Sequence, residues 1–183
     1  MSGMKVMKGK AWIFGDNLDV DYELSPFRKW RQLRAQGATE EELGKLCMSE
    51  VDPDFYKKMS KGDFIIAGDN MGCGHDHSQG PEAIKFCGVS AVIAESLHEW
   101  FLRNCILVGL PAVAYKGIKQ KVKPGDSLEL DFVGGKLTNL TTKETMTFKP
   151  LPSFLLKIME AGTLANYFKD LVKANKVDAY LAD

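Results

Sequence analysis

Along this chain the apolar positions come in short, dense runs that stop abruptly at glycine, asparagine or aspartate. The first, Lys10 to Phe14, is aromatic and β-prone and runs into Gly15-Asp16-Asn17, so it predicts a strand feeding a polar loop. That loop carries Asp16, Asp19 and Asp21 ahead of Ser25-Pro26. The dipeptide predicts an N-cap with proline at the first helical position and a helix to about Ala35. Gly37 ends it, and Thr39 with Glu42 three places later predicts a capping box for a second short helix running towards Met48. Asp52-Pro53 opens a third. The stretch from Phe27 to Met59 therefore reads as a helical excursion between strands, anchored by Trp30, Leu33, Leu43, Leu46, Phe55 and Tyr56.

Asp63 to Ala67 predicts a short buried strand, and Gly68 to Gly74 can neither extend it nor start a helix comfortably. Ser78 to Phe86 then fits a short helix and Val89 to Ala94 a buried strand. Ser96 with Glu99 forms a second capping box ahead of a helix reaching about Ile106. This alternation is a βαβα unit around a partly parallel sheet, which places the chain in the α/β class. After Leu110-Pro111 the pattern changes. Ser127 to Val133, Leu137 to Leu140 and Thr145 to Phe148 are β-prone runs separated by turn residues, an antiparallel meander. Apolar spacing in Phe154-Leu155-Ile158 and Leu164-Tyr167-Phe168-Leu171 predicts two closing helices broken near Gly162, with a polar tail after Lys173.

A length of 183 residues suits a single domain, with its core over about 9–173. The 24 Lys and Arg are balanced by 24 Asp and Glu, so no overall positive field exists to hold nucleic acid or an anionic membrane. No apolar run approaches the length of a bilayer span, and Met1 to Lys10 lacks the apolar stretch of a signal peptide, so a cytoplasmic protein is expected. Cys47, Cys73, Cys87 and Cys105 show no close-spaced pair, which argues against a self-contained zinc or iron-sulfur site. Buried free thiols are the expectation for Cys47, Cys87 and Cys105.

Chemistry concentrates in GCGHDHSQGP, Gly72 to Pro81. A glycine-rich turn after a strand delivers His75, Asp76, His77 and Ser78 to the mouth of a helix, where backbone N–H groups favour a carboxylate or phosphate. Gly72 and Gly74 also serve a plain tight turn. Two histidines flanking an aspartate suit proton transfer, because imidazole titrates near neutral pH. A metal reading of Cys73, His75 and His77 has suitable ligand types and lacks a fourth ligand, so no metal is expected. In GDNLDVD, Gly15 to Asp21, capping accounts for Asp16 and Asp19. His98 reads as a packing histidine, and Arg103 and Asn104 as ordinary residues near a helix end.

The blocks GKAWIFGDNLDVD, GDFIIAGDNMGCG, GVSAVIAESLHEWFLRNCILVGLP, GDSLELDF with NLTT, and FKPLPSFLLKIMEAG follow one another in an order that resembles the small subunits of 3-isopropylmalate dehydratases. The likeness is to the shorter archaeal-type versions especially, and more distantly to the fourth domain of aconitase. It covers about Gly9 to Lys173. The resemblance implies a swivelling β/β/α domain, a mixed sheet with flanking helices and a C-terminal β meander. It also implies a partner: a large subunit that carries the whole 4Fe-4S cluster, in a heterodimer or heterotetramer, with no cofactor on this chain. In the family the cluster iron acts as a Lewis acid on a 2-hydroxy dicarboxylate while the small domain takes a proton from the neighbouring carbon. The implied activity is a hydro-lyase of leucine biosynthesis, active only with its large subunit.

The family pattern after Gly-Cys-Gly is Ser-Ser-Arg-Glu-His-Ala-Pro, and here the chain departs from it with His75-Asp76-His77-Ser78-Gln79-Gly80-Pro81. The family's serine base aligns with His75, its second serine with Asp76 and its carboxylate-binding arginine with His77. Asp21 matches the family's loop aspartate, and Arg28 approximates the following arginine with the spacing shifted by one. A histidine is an imperfect substitute for a planar, always charged guanidinium fork. The expectation is that His75 is the base, that Asp76 or Asp21 orients it, and that substrate carboxylate meets His77, Ser78, Arg28 and the loop N–H groups of Cys73 and Gly74. Ser78 is the reserve base. Three alternatives stay open: a related dehydratase acting on an alkylmalate such as 2,3-dimethylmalate, a noncatalytic anion- or metal-binding module, and a subunit that docks on a cluster protein without supplying a base.

Overall fold

The computed structural model describes residues 6–174. Seven strands form one mixed sheet: β1 (Met7–Ile13), β2 (Phe64–Ala67), β3 (Ala91–Ala94), β4 (Ala112–Ala114), β5 (Ser127–Asp131), β6 (Lys136–Asn139) and β7 (Glu144–Thr147), in the spatial order β4-β3-β2-β1-β5-β6-β7. Strands β1 to β4 run parallel and β5 to β7 form the antiparallel meander. Every residue of β2 and β3 is buried, as expected for parallel strands covered on both faces. Residues of β5 and β6 instead alternate between buried and less buried, so one face of the meander is open to water.

Strand pleating divides the core in two. Ile65, Ala67, Val92 and Ala94 face a layer built from α1 (Phe27–Ala35), α2 (Glu40–Gly44), α3 (Phe55–Lys58), α4 (Gln79–Cys87) and α5 (Glu99–Val108), whose Trp30, Leu43, Phe55, Ile84 and Phe101 are buried with them. Phe64, Ile66, Ala91 and Ile93 face the other way, onto Ile118 of α6 (Ile118–Lys121) and onto Leu128, Leu130 and Leu137 of the meander. Two further helices, α7 (Ser153–Glu160) and α8 (Leu164–Lys173), turn on Gly162 at φ 83° and contact α5. The expected polar tail lies outside the described residues apart from Ala174. No described helix is long and apolar enough to cross a membrane.

Strand β1 serves both halves of the sheet. Its residues Met7 to Lys10 pair antiparallel with β5, and Ala11 to Ile13 pair parallel with β2. At the changeover the buried Asp63, 4% exposed, accepts from Lys10 N–H at 2.9 Å, Trp12 Nε1–H at 2.8 Å and Ser60 N–H at 2.9 Å. Gly9 is required beside it, since a Cβ there would lie 2.2 Å from the Gly62 carbonyl oxygen.

Several sequence expectations need correction. Ser25 is not an N-cap: the chain winds through a π-helical turn at Val20–Leu24, which leaves Ser25 extended and buried with its Oγ unpartnered, and Pro26 takes the cap position. The capping box of Thr39 and Glu42 forms, but α2 stops at Gly44 instead of reaching Met48. There the chain lies against the backbone of Phe86 and Cys87, with room for no side chain. Ser96 does not cap α5 either; its Oγ accepts from Asn70 N–H and donates to Asp69, and His98 holds the cap position. Strand β4 and helix α6 were not anticipated, because three and four residues are too few to show a period.

Replacing Asp63 with Ala leaves three donors without their charged acceptor and should lower unfolding free energy by about 3 kcal/mol, measured by urea denaturation. A loss below about 0.5 kcal/mol would contradict the role given to it.

Candidate active site

The site lies beyond the carboxyl ends of the parallel strands, where open α/β sheets commonly form crevices. The loops leaving β1, β2 and β3 continue the parallel pairing as isolated links. Gly68 N–H donates to Gly15 O, Asn17 N–H to Asp69 O, Gly72 N–H to Leu18 O and Val20 N–H to Cys73 O, all at 2.8–2.9 Å. On the other side Met71 N–H donates to Ser96 O and His98 N–H to Met71 O. The middle loop is thus clamped between its neighbours. Gly72 has φ 79° and faces Phe101, and Gly74 has φ 94° with its missing Cβ only 2.3 Å from an Asp19 carboxylate oxygen, so both glycines are needed here.

Asp19 caps the π-helical turn by accepting from Asp21 N–H at 2.7 Å, as the capping reading expected. Asp16 accepts from Asp69 N–H and from Lys119. The Lys119 hydrogen bond, with the Asp69 N–H and the ammonium charge, holds the Asp16 carboxyl below its usual range. Its contribution to stability is present above the ordinary aspartate pKa and is lost as pH falls through the lowered value.

The turn sets Asp21 beneath the loop. Its side chain is only 10% exposed, and three side-chain nitrogens converge on it. His75 Nδ1 lies 2.9 Å from Oδ2, His77 Nδ1 2.8 Å from Oδ1, and Gln79 Nε2 donates to Oδ1 at 2.6 Å and to Val20 O at 3.1 Å. Since an ionised carboxylate only accepts, the His77 imidazole that is hydrogen-bonded to it carries a proton on Nδ1 and, when neutral, keeps its lone pair on Nε2, while His75 stands within ion-pair reach of Oδ2. His77 stacks on Phe27 at 4.2 Å and 9°, and His75 lies over His77 at 5.4 Å and 18°. The His75 side chain is 74% exposed and His77 34%. The His75 ring thus has Nδ1 beside Asp21 while most of its surface is open to solvent.

The remaining sequence candidates are distributed around this cluster. Asp76 Oδ1 instead accepts from Asn104 Nδ2 at 2.8 Å on α5, so among the described residues Asp21 is the acid paired with the His75 ring. Ser78 donates to Glu82 at 2.9 Å along its own helix and makes no bond to Asp21. Arg28 shares a cleft of about 200 Å³ with Asp21, Tyr22 and Phe27. His77 and Ser78 line a second, of about 410 Å³, with Trp30, Arg31 and Arg34. Cys73 is half-buried, and its burial, followed by the Asp19 charge, raises the thiol pKa. His98 is half-buried with its Nδ1 unpartnered. Gln79 and Phe27 were not anticipated as site residues, and no pattern in the sequence marks them; only the fold brings them to Asp21 and His77.

The thiols do not suit an iron-sulfur cluster. Cys47, Cys87 and Cys105 are buried, burial pushes the Cys47 and Cys105 thiols well up, and Cys73 alone reaches the site. Three or four converging thiolates are needed, and this chain does not offer them.

Asp21, the His75–Gln79 segment and the strands β2 to β4 fall within residues 17–117, which match the aconitase C-terminal domain family. The chain belongs to that family. Its relatives narrow the comparison further. The isopropylmalate/citramalate isomerase small subunit of Methanocaldococcus jannaschii is 43% identical over 164 residues, covering 90% of this chain and 94% of that protein. The 3-isopropylmalate dehydratase small subunit of Wolinella succinogenes is 39% identical, covering 91% and 95%. A crystal structure of 3-isopropylmalate dehydratase from Methanocaldococcus jannaschii superposes with a TM-score of 0.82 at 34% identity, over 94% of this chain and 99% of that one. The swivelling β/β/α architecture expected from the sequence is the one found.

Asp21→Ala should release the His77 ring to the Nε2–H tautomer that an unrestrained imidazole can adopt. Nitrogen-detected NMR of the histidines reads this directly; unchanged Nδ1–H signals in the variant would show that Asp21 does not set the tautomer.

Proposed function

We propose that this chain is the small subunit of a two-part hydro-lyase that isomerises 3-isopropylmalate, by loss and re-addition of water, in leucine biosynthesis. What carries the reading is similarity over nearly the whole length of both chains to proteins named as 3-isopropylmalate dehydratase and isopropylmalate/citramalate isomerase small subunits. The dimethylmalate and noncatalytic alternatives find no support among these relatives. A large subunit completes the enzyme, in a heterodimer or heterotetramer, in the cytoplasm. The poor fit of this chain's cysteines supports placing the 4Fe-4S cluster on that partner, where its iron would polarise the leaving hydroxyl.

Within this reading His75 Nε2 takes the proton from the carbon adjacent to the departing hydroxyl, and Asp21, against Nδ1, stabilises the imidazolium that forms. The same imidazolium returns a proton when water adds back. Asp21 is held for this by Gln79, and His77, Arg28 and the N–H groups of the Cys73–Gly74 turn meet substrate carboxylate. Arg28 supplies the permanent positive charge that an imidazole in the position of the family's arginine does not. Asp76 acts on the loop through Asn104, and Ser78 stays with Glu82.

With the large subunit present, His75→Ala should lower kcat for 3-isopropylmalate dehydration by about 100- to 10,000-fold, the range for a lost general base. Near-normal turnover would remove His75 from this role. Arg28→Met should raise KM with a smaller change in kcat, and an unchanged KM would exclude Arg28 from substrate binding.

A further inference from the structure

The convergence of two imidazole nitrogens on one carboxylate has a second chemical use, independent of proton transfer. We propose that Asp21, His75 and His77 form a binding site for a divalent first-row transition cation of the zinc class. One ligand atom from each lies within 4.8 Å of the others. The ligand set reaches across two loops and differs from the sequence set of Cys73, His75 and His77, because its carboxylate comes from the π-helical turn at Val20–Leu24.

The distances suit such an ion. Tetrahedral coordination with bonds of about 2.1 Å separates neighbouring ligand atoms by about 3.4 Å. His75 Nδ1 lies 2.9 Å from Asp21 Oδ2 and His77 Nδ1 2.8 Å from Asp21 Oδ1, so an ion entering between the imidazoles and the carboxylate needs these gaps to open by about 0.5 Å. His75, at 74% exposure, has the freedom to give that space. Two nitrogens and one oxygen select zinc, cobalt, nickel or copper over magnesium or calcium, and three protein ligands leave a position for water.

The surroundings support the ligands in the manner of metal sites. Gln79, 3% exposed, donates to Asp21 Oδ1 and is itself fixed through Val20 O. Phe27 fixes the plane of His77 by stacking. Such supports orient ligands and commonly change affinity by about 10- to 100-fold. A cation on Nδ1 leaves the proton of each neutral ring on Nε2, so an occupied site presents two N–H donors and no free imidazole lone pair. Metal binding and base action are therefore mutually exclusive states of His75. The site itself needs no assumption about the reaction.

The test uses the purified full chain, stripped of metal by chelation and titrated with cobalt(II) and then zinc(II). One equivalent of cobalt should produce visible absorption of a four- or five-coordinate ion, and zinc should displace it. His75→Ala and His77→Ala should each weaken binding by about 100-fold or more, and Gln79→Ala by about 10-fold. Cys73→Ser and His98→Ala should leave it intact. His75 is exposed enough that its removal does not threaten folding. The proposal is overturned if no cobalt spectrum appears, if both histidine variants bind as the parent does, or if Cys73→Ser abolishes the signal. None of these results bears on His75 as a base, which the turnover measurement decides separately.

Discussion

A buried carboxylate at the junction of two sheet halves is the constraint on which the rest is built. β1 cannot pair antiparallel with β5 and parallel with β2 without passing through a step where its backbone lacks a regular partner. Asp63 fills that step by accepting from Lys10 and, in the same bend, from Trp12 and Ser60. Unpaired N–H groups at this depth would be costly, and three charge-assisted bonds remove that cost. The meander is therefore joined to the parallel core as one sheet. The crevice at the strand ends inherits a floor that does not depend on the loops.

The loops add their own rigidity. Parallel pairing continues past the strands through Asp19–Cys73 and Met71–Leu97, so the chemical segment is held on both sides before any side chain is considered. Asp21, its side chain largely covered, then gathers nitrogens from three residues of the next loop and helix. Its position depends on the π-helical turn, which Asp19 caps and Glu23 reinforces through a bond to the Asp19 N–H. Helix α1 joins the arrangement through Phe27, whose ring is covered by His77 and approached by Arg31.

The sequence made the architecture readable wherever one physical cause dominates. Runs such as Phe64-Ile65-Ile66 and Ala91-Val92-Ile93 have no amphipathic ambiguity, and the alternating meander strands and the Thr39–Glu42 box follow directly from pattern. It misled where a local signal competes with a distant partner. Ser25 and Ser96 both stand in good capping positions, yet one is turned inwards by the π-helical turn and the other is taken by the Asp69–Asn70 loop. The site was half legible for the same reason. His75 and His77 announce themselves by composition, and the family resemblance picks out Asp21. Which acid meets the rings, and that Gln79 joins them, depends on contacts more than fifty residues apart in the chain. Asp76, adjacent to both histidines in sequence, goes to Asn104 instead.

The exposure of the His75–Asp76–His77 segment has a consequence for how such a protein diversifies. These side chains occupy almost none of the core volume, and the backbone beneath them is held by Gly72, Gly74 and bonds to adjacent loops. Substitution within this segment changes the reactive groups while touching the packing only at the His77–Phe27 stack and the Asp76–Asn104 bond. Chemical identity and foldedness are thereby separated into different residues, so that evolution can rewrite the first without renegotiating the second.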